Sequence, residues 1–120
     1  MAKILIVDDD QLISNLLDQL LKMYGHQPTV VNDSTRAMEV ANSIIPDLIT
    51  LDLMMPGLTG FQLCDLLRAD PKFTQTPIVI ISAREDTESK ARAFQAGVKD
   101  YITKPFNIDD LLNRIKAVLT

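Results

Sequence analysis

Short apolar runs bounded by polar residues recur along the chain at Lys3 to Val7, Thr29 to Val31, Asp47 to Leu51, Pro77 to Ile81 and Lys99 to Ile102. Each has the length of a strand. Positions 4–7, 48–51 and 78–81 are almost wholly apolar rather than alternating, which is the pattern of a strand with both faces covered. These three are predicted to be central parallel strands, and the weaker second and fifth runs to lie nearer an edge.

Helical spacing fills the intervals. Leu12, Ile13, Leu16, Leu17, Leu20 and Leu21 recur at three and four residues and predict one apolar stripe on a first helix, closed by Gly25. Asp33 or Ser34 caps a second helix through Met38 and Ala41, and Phe61, Leu63, Cys64, Leu66 and Leu67 lie on a third that must stop before Pro71. A fourth is predicted from about Asp86 to Gly97, and a fifth opens at Asn107 and carries Ile108, Leu111, Leu112, Ile115 and Leu119. Five strand-then-helix units predict an α/β fold, a doubly wound parallel sheet with helices on both faces. Ligands of such sheets bind at the carboxyl ends of the strands, near the point where strand order reverses.

A length of 120 residues suits a single domain, 1–120, and no repeat, low-complexity tract or linker-like run divides it. No apolar run approaches the roughly 18 residues that would cross a bilayer, so no membrane contact is expected. The apolar start of the chain is too short for a signal peptide and runs into acids, which gives a cytoplasmic expectation. The only cysteine, Cys64, has no disulfide partner and, with a lone His26, no zinc set; it is read as a core residue. A net charge of −4, with Lys and Arg scattered among acids, argues against direct nucleic-acid binding and for protein partners.

The strand ends hold the candidate chemistry. Asp8, Asp9 and Asp10 follow the first strand, Asp52 the third, Ser82 the fourth and Lys104-Pro105 the fifth. Taken singly, each has a plainer reading, since acids and serines before helices cap them and a lysine is usually a solvated charge. Together they share one edge of the sheet, where converging carboxylates repel unless some hold protons or a cation sits among them. The cation is the simpler answer. Oxygen donors without His or Cys select a hard ion, and so few protein ligands suit Mg²⁺, which keeps waters and shares a phosphate oxygen; Mn²⁺ is able to substitute. A carboxylate, a hydroxyl and an ammonium beside such an ion form a phosphoryl-transfer site in which Asp52 is the candidate nucleophile.

Over essentially its whole length the chain resembles a receiver domain of the two-component response-regulator family. The resemblance rests on Asp8-Asp9, on Asp52-Leu53-Met54-Met55-Pro56-Gly57 with Gly60 two residues past Leu58, on Ser82-Ala83, on Tyr101 and on Lys104-Pro105-Phe106. It implies a flavodoxin-like (βα)5 topology with strand order 2-1-3-4-5, a cis peptide before Pro105, and Asp52 as phosphoacceptor. Asp9 is then a direct metal ligand beside Asp52, the backbone carbonyl of Met54 another, and Asp8 acts through a water or by orienting Asp9. Ser82 and Lys104 contact the phosphoryl group. Tyr101, which standing alone reads as an ordinary strand aromatic, turns inward as Ser82 moves and alters the surface of helix four, strand five and helix five.

The implied donor is a phosphohistidine on a sensor histidine kinase or a histidine phosphotransfer protein, or a small donor such as acetyl phosphate. The downstream partner is unspecified, and a phosphorylation-dependent homodimer stays open. Such a domain is not an enzyme in the usual sense, because it catalyses only its own phosphorylation and dephosphorylation. Met54 and Arg84, two residues past Asp52 and Ser82, flank the site as modulators. An apolar Met cannot orient an attacking water and Arg84 is placed to screen or contact a phosphoryl group, so slow self-dephosphorylation is expected.

Three rivals fit less well. A phosphohydrolase of the haloacid-dehalogenase type shares the Asp, hydroxyl, Lys and Mg²⁺, but its general acid stands where this chain has Met54, and no cap insertion encloses a substrate. In a flavodoxin-like electron carrier, Asp8 to Asp10 would repel the cofactor phosphate. A degenerate receiver kept for docking alone does not need the intact acceptor, acids, hydroxyl and lysine.

Overall fold

The computed structural model describes residues 1–120. Strands β1 Lys3–Val7, β2 Gln27–Val31, β3 Leu48–Leu51, β4 Ile78–Ser82 and β5 Asp100–Thr103 alternate with helices α1 Gln11–Met23, α2 Ala37–Ile44, α3 Gly60–Ala69, α4 Thr87–Gln95 and α5 Ile108–Leu119. All paired strands are parallel and their order is β2-β1-β3-β4-β5, so the path across the sheet reverses between β1 and β3. The nearly continuous apolar runs are the central strands, and the two weaker runs are the edges.

Period-two alternation divides the core into two layers. Ile4 and Ile6 of β1, with Leu48, Val79, Ile81 and Ile102, pack against Leu17 and Leu21 of α1 and Leu111 and Ile115 of α5. Leu5 and Val7, with Ile49, Leu51, Ile78 and Ile80, face the other way onto Ala37 and Ala41 of α2, Leu63, Cys64 and Leu67 of α3, and Ala93 of α4. Each fully buried Leu or Ile contributes about 1.5–3 kcal/mol relative to its exposed state, so both faces are needed to hold the sheet.

The caps follow local chemistry. Asp10 accepts from the amides of Leu12 and Ile13 at the start of α1, and Asp86 and Asn107 cap α4 and α5. Thr59 and Gln62 form a reciprocal capping box at α3. Asp33 does cap the second helical segment, but that segment begins as a 3₁₀ turn, Ser34–Arg36, and becomes α-helical only at Ala37.

The stripe predicted for the first helix is too broad. Leu12 is 84% exposed, and Leu16 and Leu20 are only half-buried, because Ile13, Leu17 and Leu21 lie along the line facing the sheet. Four-residue spacing selects that line, and Leu12 falls a step to one side of it.

At the amino-terminal end of the sheet, Arg68 ties several backbone segments together. Its guanidinium donates to the carbonyls of Phe73 (2.8 Å), Thr74 (3.2 Å) and Thr76 (2.9 Å) in the α3–β4 connection and to Gly97 (3.0 Å) after α4. At the opposite end, register sets the functional residues level with one another. Val7 pairs with Leu51 and Ser82 with Thr103, so Asp8 stands beside Asp52 and Lys104 follows directly beyond Ser82.

Candidate functional site

Asp8 is buried at the end of β1, and its amide donates to Val31 O (3.1 Å). The amide of Asp52 donates to Val7 O (3.0 Å), which continues the β1–β3 ladder and carries the Asp52 side chain to the same edge. Lys104, one residue past β5, is held by its amide on Ser82 O (2.8 Å). From there its ammonium donates to Asp8 Oδ2 at 2.8 Å and to Asp52 Oδ2 at 3.2 Å. The peptide between Lys104 and Pro105 is cis, as the resemblance implied.

Carboxylate oxygens of Asp8, Asp9 and Asp52 all lie within 4.8 Å of one another, with no His or Cys among them. This donor set fits the hard cation expected from the sequence. Asp10 does not join it, because its carboxylate is spent on the cap of α1. Burial pushes the Asp8 carboxyl above the usual range, opposed by the hydrogen bonds from Lys104 and the Asp10 amide. For Lys104 burial works to lower the ammonium, but the hydrogen bond and charge of Asp8 and the charge of Asp52 outweigh it and raise it above the ordinary value.

Ser82 and Arg84, near the acceptor, have hydrogen-bond partners other than Asp52. Ser82 is fully buried, and its Oγ accepts from the amide of Arg84 at 3.2 Å. The guanidinium of Arg84 pairs through Nε with Asp86 Oδ1 at 3.1 Å rather than with Asp52. Met54 is 59% exposed, and its amide donates to Asp52 Oδ1 at 3.2 Å, which fixes the rotamer of the carboxylate.

Tyr101 lies inward in the structure. It is only 7% exposed, and its hydroxyl donates to Arg84 O at 2.6 Å. Burial raises the phenol above its usual value, which suits a donor role. The carbonyl of Arg84 offers a strong acceptor at the point the ring reaches, and that is sufficient to hold it there.

Two contributors were not read from the sequence for what they do here. Gly60, the first residue of α3, sits where a Cβ would meet the Asp52 carbonyl oxygen and approach Leu53 Cα to 2.7 Å. Its place in the run after Asp52 was the available signal. Asn32, just past β2, donates to Asp8 O at 2.8 Å and to Ser14 Oγ at 2.9 Å. A lone polar residue at a strand end carries no local sign of such contacts.

Comparisons with known proteins agree with this fold. The model of the family described as "Response regulator receiver domain" matches residues 4–116. The DNA-binding dual master transcriptional regulator RpaA of Synechocystis is 38% identical over 119 residues, covering 99% of this chain and 49% of that protein. The chain thus spans about half the length of the curated relatives it matches. Among solved structures, chemotaxis protein CheY4 of Vibrio cholerae superposes with a TM-score of 0.93 at 30% identity, covering 98% of each chain. The receiver domain of Francisella response regulator 1452 gives 0.90 at 35% identity, with 99% of this chain and 97% of that one covered.

Proposed function

The chain belongs to the response regulator receiver domain family, and from that premise we propose that it is a phosphorylation-dependent signalling switch with Asp52 as its phosphoacceptor. The observation that carries this reading is the meeting of the Asp8, Asp9 and Asp52 carboxylates with the Lys104 ammonium at the carboxyl edge of the sheet. Asp9 and Asp52, with the Met54 backbone carbonyl, would hold Mg²⁺ directly, and Asp8 would act through a water or by orienting Asp9. The bound ion supplies positive charge against the carboxylates and the phosphoryl oxygens.

The residues themselves perform the transfer. A carboxylate oxygen of Asp52 attacks phosphorus, an O–P bond forms, and the P–N bond of a phosphohistidine breaks, with its electron pair returning to the imidazole. Lys104 Nζ, already hydrogen-bonded to Asp52, offsets the charge on the transferred group in a charge-assisted contact. Ser82 turns its hydroxyl from the Arg84 amide towards a phosphoryl oxygen. The inward Tyr101 ring bonded to Arg84 O is the position that phosphorylation would favour by a shift of population. The surface of α4, β5 and α5 is what a partner reads.

The donor in this reading is a sensor histidine kinase or a histidine phosphotransfer protein, and the domain catalyses only its own phosphorylation and dephosphorylation. The downstream target is a protein surface or a further domain. RpaA is named as DNA-binding, but in this chain the net charge of −4 and scattered cations favour no direct nucleic-acid contact. No helix is long and apolar enough to cross a membrane, and we assign the domain to the cytoplasm, where the donor phosphohistidine would be met.

Intact-mass analysis after incubation with acetyl phosphate, with and without Mg²⁺, tests the reading. One Mg²⁺-dependent phosphoryl adduct is expected on the parent and none on Asp52→Asn. Release of phosphate far beyond one equivalent, without a stable adduct, would favour a hydrolase instead.

A further inference from the structure

We propose that Asn32 is a positioning residue that fixes the acidic turn carrying Asp8 and Asp9. The proposal rests on the reading of those two acids as metal carboxylates and extends it to a residue that touches neither carboxylate.

The turn from β1 to α1 must present two adjacent carboxylates that repel each other and Asp52. Its backbone is restrained from one side by the strand ladder, through the Asp8 amide on Val31 O at 3.1 Å. Its α1 side is held by Asp10, whose carboxylate caps the helix. The carbonyl of Asp8 lies between these restraints. Asn32 Nδ2 donates to it at 2.8 Å.

Asn32 is itself held. The same Nδ2 donates its second proton to Ser14 Oγ at 2.9 Å, and Ser14 is fully buried in the first turns of α1, where its hydroxyl donates to Gln11 O at 3.2 Å. Both amide protons of one side chain are therefore used, one on the turn and one on the helix that follows it. The chain Gln11 O, Ser14 Oγ, Asn32 Nδ2, Asp8 O closes a ring around the acidic turn. Its effect is to set the peptide plane between Asp8 and Asp9, and with it the direction of the Asp9 carboxylate. Asn32 touches neither carboxylate, so its influence passes wholly through backbone geometry, as outer partners of metal ligands commonly act.

Ser14 is the weaker half of the device. Removing its hydroxyl leaves the bond from Asn32 to Asp8 in place but frees the amide to rotate, so a smaller effect of the same kind is expected. Removing Asn32 leaves Asp8 O and Ser14 Oγ without that donor.

Titration calorimetry with Mg²⁺ on the parent, Asn32→Ala and Ser14→Ala, with the Tm of each in metal-free buffer, tests the inference. Asn32 is exposed, and Ser14→Ala removes only one hydroxyl from a buried position, so both variants are expected to fold. The Kd for Mg²⁺ should rise about tenfold in Asn32→Ala and by a smaller factor in Ser14→Ala. The double variant should be no weaker than Asn32→Ala, because the two act as one unit. An unchanged Kd in Asn32→Ala beside a lowered Tm would make Asn32 a structural tie only and overturn the proposal. A parent that binds no Mg²⁺ would remove the metal reading of Asp8 and Asp9, and the role of Asn32 with it.

Discussion

Lys104 Nζ donates to Asp8 Oδ2 at 2.8 Å, although the two residues stand 96 positions apart, and the same ammonium reaches Asp52 at 3.2 Å. One cation therefore serves two carboxylates that have little water around them. Its removal should leave those carboxylates facing each other and Asp9 with nothing to offset their charge. Lys104→Met is expected to lower the stability of the metal-free domain by about 1–3 kcal/mol at neutral pH, read by urea unfolding. Saturating Mg²⁺ should narrow the difference between variant and parent, because the ion supplies charge in the same place. Equal stability of the two without Mg²⁺ would mean that the ammonium offsets little in the folded state.

Gly60 sets how closely α3 approaches the acceptor loop. A methyl at this position would be driven against backbone atoms of Asp52 and Leu53, which cannot swing aside as a side chain could. Gly60→Ala is expected to cost about 1–3 kcal/mol of stability, as overpacking typically does, and to slow formation of the phosphoryl adduct. Denaturant titration and time-resolved intact mass measure the two effects separately. Wild-type values for both would show that the loop moves freely at this point.

Tyr101→Phe removes one hydroxyl and leaves the ring. The lost bond to Arg84 O should cost about 1 kcal/mol in urea unfolding. The phenyl ring should also spend more time outward than the parent ring, which the bond to Arg84 O favours in the inward position, and the difference is read from ring resonances.

Acid should act on the domain at His26. Burial lowers its imidazole from the ordinary value of 6.5, helped by the nearby N-terminal ammonium, and Nδ1 accepts from the Ala2 amide at 3.2 Å, which a protonated Nδ1 cannot do. The unfolded chain therefore takes up a proton at a higher pH than the native one. Stability from this group is complete above the ordinary histidine range and is lost as pH falls through the lowered native value. A proton NMR titration should place the His26 midpoint below 6.5, and Tm should fall less on acidification in His26→Gln than in the parent. A midpoint at or above the ordinary value would refute the assignment.

What could be read in advance divides along a physical line. The sheet was legible because β1, β3 and β4 are apolar without alternation, a condition that a strand can meet only when helices cover both its faces. The site was legible because topology alone brings strand ends to one edge, so Asp8, Asp9, Asp52, Ser82 and Lys104 could be gathered without knowing a single side-chain contact. The features that escaped depend on local turn geometry or on partners that the sequence pattern does not reveal. Asp10 could have joined the acidic cluster or capped α1, and only the turn geometry decides between them. The inward ring of Tyr101 depends on the carbonyl of Arg84, and the exposure of Leu12 on the exact line along which α1 meets the sheet.

Arg68 gives the molecule a fixed end. The four carbonyls it gathers come from the α3–β4 connection and the close of α4, on the edge of the sheet away from the acidic cluster. The α4 segment is thus anchored at its carboxyl terminus, while its amino terminus adjoins the Ser82–Arg84 loop. A displacement passed from the acceptor to α4 is therefore expected to swing the helix about this anchorage, as a lever swings on its fulcrum, with more travel at the end beside Ser82 than at Gly97.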